Sequence, residues 1–264
     1  MEEFKLSKFQ KVCHFIVFEG SKEAIPSSFY KEWGMHEKAK MTLDKDTITQ
    51  FQFYSTLNFF PKEEITKLQD NVNQYAYDVI IIEFPLFNVT AIGFPVRFFA
   101  VEMTNSLVNF HQLQLKRNFV SVNLISLIQF IEKSEIFLYD DDIYSLGGVF
   151  LLLTSDNFLS TVRLIGKNPL ESEIYIDYFK EKLISKNQKG IGIEKIILKS
   201  KNETIDKSRG TSSMHIDKYG NFKFFIQRQG NNILSVIKIF HMLNDKDCFI
   251  SRPHKPLIKK EEDE

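Results

Sequence analysis

The sequence predicts an α/β or α+β domain built on a mixed β-sheet of six or more strands flanked by three to four helices. Three observations lead there. Short apolar runs rich in β-branched and aromatic residues outnumber the segments with helical spacing. The run Asp78 to Phe84 (DVIIIEF) is apolar on both faces, the mark of a central strand. Pro61 and Pro169 each open a segment with acids in its first turn, where proline is tolerated and the helix dipole favours negative charge. Sheet and helices bury their apolar faces most simply against one another.

In chain order, Lys11 to Glu19 (KVCHFIVFE) reads as a buried strand closed by Gly20. Ser21 to Lys40 is polar and turn-rich, and Thr47 to Phe60 alternates as a strand. The helix opened by Pro61 keeps its spacing through Ile65, Leu68 and Val72 to about Ala76. After Asp78 to Phe84, the residues Pro85, Gly93 and Pro95 punctuate a connection. Val96 to Met103 is the next expected strand, Asn105 to Asn109 a hairpin turn, and Phe110 to Val122 its return strand. Leu124 to Ile131 forms a short helix capped by Asn123. Glu135 to Tyr139, Val149 to Leu153 (behind Gly147 and Gly148), Ser160 to Ile165 and Ile193 to Ser200 are further strands. A helix from Pro169 to about Asn187 precedes the last of these. Met214 to Arg228 reads as a hairpin turning at Lys218-Tyr219-Gly220-Asn221, and Asn231 to Leu243 as an amphipathic helix. Residues 1–250 are expected to form one domain, with a candidate boundary only at 185–192. Residues 251–264, ending Glu-Glu-Asp-Glu, read as a disordered tail.

Composition narrows the functional classes. With 264 residues, 43% hydrophobic and 26% charged, the chain buries a full core. Phe occurs 26 times and Trp once, so that core is aromatic. Lys plus Arg and Asp plus Glu are each 34, and a net charge of zero argues against a histone-like binder dominated by phosphate neutralisation. Neutrality and abundant Phe favour life in a complex. Cys13 and Cys248 are the only cysteines, which disfavours a disulfide framework and a structural zinc site. No signal peptide and no membrane-spanning run is expected: the first residues carry two acids, and the longest apolar stretch, Ile143 to Thr154, is too short to span a bilayer. A cytoplasmic location follows as the expectation. No GK[ST], GxSxG or helical His pair at i, i+4 occurs, so nucleotide-driven, serine-hydrolase and zincin chemistry are disfavoured.

Two groups of residues carry chemistry on paper. Asp78, Glu102 and Gln114 supply oxygen ligands that could hold magnesium or manganese, with Lys116 to orient water and offset phosphate charge. Gln114 and Lys116 are two apart and share a strand face; a hairpin would set Glu102 opposite them, and Glu63 or Glu64 could complete the site. The second group is basic: Lys195, Lys199, Lys201, Arg209, Lys223 and Arg228, with Phe225 nearby, form a candidate nucleic-acid surface or a lysine-guarded sheet edge. His215 and Asp217 share a strand face, and His111 lies near Gln114; both histidines are candidates for catalysis.

The Pro61 to Thr154 stretch is similar to the PD-(D/E)xK nuclease superfamily, in which a helix precedes a hairpin and another follows it. That resemblance implies Asp78, Glu102 and Gln114 around the metal and Lys116 at the scissile phosphate. The sequence departs from the pattern: no Pro-Asp precedes the hairpin, Gln114 stands where an acid is usual, and Glu102-Met103-Thr104 lacks the lysine. The same residues also fit the solvated face of an ordinary strand. The expected function is therefore an accessory or protein-interaction subunit without catalysis or cofactor, bound to another protein chain as a homo- or hetero-oligomer. The alternative is a metal-dependent nuclease acting on DNA or RNA with Mg or Mn.

Overall fold

The computed structural model describes residues 12–57, 75–107, 119–133, 136–137, 143–155, 158–165, 191–200, 213–225 and 232–252. The chain divides into two compact units, the first from residues 1–119, 228–231 and 251–264, the second from 120–227 and 232–250.

In the first unit, β1 (Val12–Glu19) leads through a 3-10 turn to α1 (Ser27–Glu32) and the hairpin β2 (His36–Leu43) and β3 (Asp46–Ser55). Then follow β4 (Tyr75–Phe84), β5 (Val89–Phe94) and α2 (Arg97–Asn105). These strands order as β2-β3-β4-β5-β1, and each neighbouring pair is antiparallel. Local chemistry makes the tight connections. Asp44, at φ 53, turns β2 into β3; Pro85 opens one 3-10 turn that Asn88 ends in the left-handed region at φ 50.

One face of this sheet packs against the helices. Phe53, Tyr77, Val79, Ile81, Ile92 and Phe94 from the strands join Phe29 of α1 and Phe99 and Met103 of α2. The Phe99 ring lies edge-on to Phe53 at 4.9 Å and tilted against Tyr77 at 4.9 Å. Such aromatic pairs add about 0.5–1.5 kcal/mol each beyond the area they bury.

The second unit contains β6 (Phe119–Val122), which begins at the division, then α3 (Leu124–Lys133), β7 (Ile136–Phe137), β8 (Ile143–Ser155) and β9 (Phe158–Ile165). It continues through β10 (Ile191–Ser200), β11 (Ser213–Asp217), β12 (Phe222–Phe225), α4 (Asn232–Asp245) and β13 (Phe249–Arg252). The order is β12-β11-β10-β8, with β7 and β9 sharing the other edge of β8; all these pairings are antiparallel. Val149, Leu164, Ile196, Leu198, Met214, Ile216, Phe222 and Phe224 are buried on one face. Phe240 of α4 meets Phe222 edge-on at 4.9 Å, and α3 lies against β10. Asn123 caps α3 as expected: its side-chain oxygen accepts the Ser126 amide N–H at 3.2 Å.

The class is thus α+β with antiparallel sheet and, among the described residues, four α-helices. The pairings described above are all antiparallel. β4 is buried on both faces within an antiparallel sheet, so its continuous apolar run does not report parallel pairing. Val96 to Met103 is not a strand: it is α2, with Phe99, Met103, Thr104 and Leu107 buried at helical spacing while Phe98 and Glu102 are exposed. Tyr75 and Ala76 belong to β4 and not to a preceding helix, and Gly147 and Gly148 lie inside β8. β13 extends through Arg252. The expected helices after Pro61 and Pro169 lie outside the described residues, as does most of the expected strand from Phe110.

Candidate functional site

The metal-site candidates separate. Asp78 is fully buried on β4, opposite Gln52 of β3. Its Oδ1 accepts a hydrogen bond from Gln52 Nε2 at 3.2 Å and lies 3.7 Å from the Lys38 ammonium. A carboxylate taken out of water needs such partners. Glu102 is exposed on α2, so residues 96–103 do not form the hairpin arm that would set it opposite Gln114 and Lys116. Gln114, Lys116, His111, Glu63 and Glu64 lie outside the described residues. Among the described residues, no group of three His, Cys, Asp or Glu side chains could hold a metal ion.

The basic candidates converge better. Antiparallel register places residues directly opposite one another on the same face of a sheet. Along the second unit's strands, Arg163 of β9 stands opposite Phe150 of β8, Phe150 opposite Lys195 of β10, and Lys195 opposite Asp217 of β11. Two residues along each strand, a second row runs Ile165, Gly148, Ile197, His215 and Lys223. Both rows occupy the face opposite the one that α4 covers. The Lys195 ammonium is 5.1 Å and the Arg163 guanidinium carbon 5.3 Å from the centre of the Phe150 ring. Each cation is within cation–π range.

Neither unit matches a known protein family at the level of sequence. No family model matches the chain, and no curated protein matches it.

The chemistry of the rows follows from their surroundings. Burial, with Lys195 and Lys223 adding to it, lowers the His215 pKa to about 4. The imidazole is therefore neutral near pH 7. Asp217 is shifted upward by burial, against the pull of its hydrogen bonds and Lys195. Its Oδ1 accepts the Tyr219 and Asn221 amide N–H groups at 2.9 and 3.0 Å, and its Oδ2 accepts Asn221 Nδ2 at 2.8 Å. Asp217 thus organises the β11–β12 turn, which accounts for its place beside His215 without a catalytic dyad. The face thus carries Arg163 and Lys195 beside Phe150, and Lys223 beside a neutral His215 in the second row.

Of the basic residues named from sequence, Lys195 and Lys223 are brought to the same face by this register, with the catalytic candidate His215 opposite Lys223. Lys199 pairs with Ser213 at the far end of β10, and β12 ends at Phe225. Lys201, Arg209 and Arg228 lie outside the described residues. Sequence reasoning missed Phe150 and Arg163. They sit in the β8–β9 hairpin, and only its register against β10 reveals that they neighbour Lys195. Among the described residues, no helix is long and apolar enough to cross a membrane.

Proposed function

We propose that this chain is a non-catalytic binding subunit that docks an anionic partner on the Arg163–Phe150–Lys195 and His215–Lys223 rows of its second unit. The observation that carries the proposal is the register that sets three cations on one sheet face beside Asp217, whose oxygens are engaged in a turn. A zero net charge for the whole chain is compatible with this, because Coulomb steering depends on the local arrangement within a Debye length of about 8–10 Å. Adjacent strands are about 4.8 Å apart, so Arg163 and Lys195, two strands apart in one row, lie within that range of each other.

The reading is tested by retention of the purified protein on immobilised heparin across a salt gradient, beside a Lys195→Ala/Lys223→Ala double variant. The wild type is expected to elute at higher salt than the variant. Equal elution of the two removes the proposed face from the docking reading.

A further inference from the structure

We infer that the partner of this face is a single-stranded nucleic acid, with a base stacked on the Phe150 ring and neighbouring phosphates held by Arg163, Lys195 and Lys223. The inference rests on the docking reading above and adds what kind of polyanion the face takes.

A docking surface for an acidic protein segment needs cations and hydrogen-bond donors for carboxylates, and has no use for an aromatic ring at its centre. Here the ring is central. Phe150 is the residue to which both Arg163 and Lys195 are registered, one from each flanking strand. The position two residues before it is Gly148, where the Ile197 side chain fills the space, 3.4 Å from where a Cβ would stand. A ring flanked by cations suits a flat base joined to phosphates.

Magnitudes decide whether a base would displace the cations from the ring. The two exposed cation–π contacts together are worth a factor of about 4–25 in an equilibrium, whereas stacking a base on an aromatic side chain is worth about 5–150. Stacking exceeds them over most of its range, and each released cation gains a phosphate partner. His215 lies in the adjacent row, between Ile197 of β10 and Lys223 of β12. As a neutral imidazole it offers a donor and an acceptor without adding charge, which suits contact to a base edge or a sugar. Duplex DNA buries its base faces within the stack, so a single strand is the form that can use the ring.

The test uses fluorescence anisotropy with the full chain and labelled oligothymidylate and oligouridylate of about 15 nucleotides, within the usual span of single-strand sites. A duplex of the same length, heparin and poly-glutamate serve as competitors. Single strands should bind more tightly than the duplex, and three phosphate contacts should give a log–log salt slope of about −2. Phe150→Leu should weaken single-strand binding by about 5- to 100-fold. Lys195→Gln should reduce the slope by about 0.7. In the unmutated protein, ultraviolet cross-linking of an oligonucleotide carrying 5-bromouracil should label the peptide that contains Phe150. Cross-linking to other peptides only, equal affinity for duplex and single strand, or an unchanged Phe150→Leu affinity overturns the inference while heparin binding keeps the docking reading. Failure to bind heparin as well as oligonucleotide overturns both.

Discussion

Gly220→Ala offers the sharpest test of how the second unit is built. Gly220 sits at φ +80 in the β11–β12 turn, where its N–H donates to the Asp217 carbonyl at 3.1 Å. Asp217 N–H in turn donates to the Asn221 carbonyl at 3.1 Å, closing a three-residue loop of the kind that needs a left-handed residue at its last position. A side chain there costs about 1–2 kcal/mol in backbone strain alone. The added Cβ would also run into the Val120 carbonyl oxygen, which is main chain of β6 and cannot rotate away. Overpacking of this sort costs about 1–3 kcal/mol. Together these give about 2–5 kcal/mol, and at about 2–4 °C per kcal/mol the melting temperature should fall by roughly 4–20 °C. Two other glycines calibrate the result. Gly34 has φ +58 with nothing within 4 Å of its would-be Cβ, so Gly34→Ala should cost about 1–2 kcal/mol, from strain alone. Gly192 has neither a positive φ nor a close neighbour, so Gly192→Ala should be neutral or stabilising by up to about 1 kcal/mol. The three variants are compared by calorimetry and urea titration. A Gly220→Ala protein that melts with the wild type, or no lower than Gly34→Ala, would refute the packing of this turn on β6.

Further outcomes follow from the same geometry. Gly93 stands opposite Phe15 across β5 and β1, and a Cβ there would lie 2.5 Å from the Phe15 ring. Gly93→Ala should therefore destabilise by about 1–3 kcal/mol, and Phe15→Leu should partly relieve it in a double-mutant cycle; strict additivity would contradict the register. Asn123→Ala should cost about 0.5–2 kcal/mol in urea titration through loss of the cap on Ser126. His215 has a folded pKa of about 4 against 6.5 for the ordinary group, so the unfolded chain binds the extra proton between those values. Its contribution to stability is full above about pH 6.5 and is lost as pH falls toward 4. His215→Gln should flatten that limb of the stability–pH curve, and identical wild-type and variant curves would show that the imidazole is not desolvated.

How much was legible beforehand depended on whether a residue's role is local. The turn at Lys218-Tyr219-Gly220-Asn221 was readable because a left-handed glycine and an Asp side chain that bonds the backbone two and four residues on are properties of five adjacent residues. The Asn123 cap was readable for the same reason. α2 was misread because Phe98, Phe99, Ala100 and Val101 are all apolar, and a run of four does not reveal its period until Phe99 and Met103 find the sheet while Phe98 is left 44% exposed. β5 was hidden by Gly93, which reads as a breaker, yet here allows the Phe15 ring to cross its strand.

The sequence by itself determined an α/β or α+β class, the central place of Asp78 to Phe84, most of the second unit's strands and the aromatic character of the core. These follow from side-chain volume, hydrophobicity and turn chemistry, which act over a few residues. Only the tertiary structure decided that the sheet pairs are antiparallel, that Glu102 rides on a helix, and that Arg163, Phe150 and Lys195 form one row. Register couples residues tens of positions apart through interstrand hydrogen bonds, and a slip of one residue would turn each of those side chains to the opposite face. No single segment carries that information, so the cationic–aromatic face exists only once β9, β8 and β10 are paired.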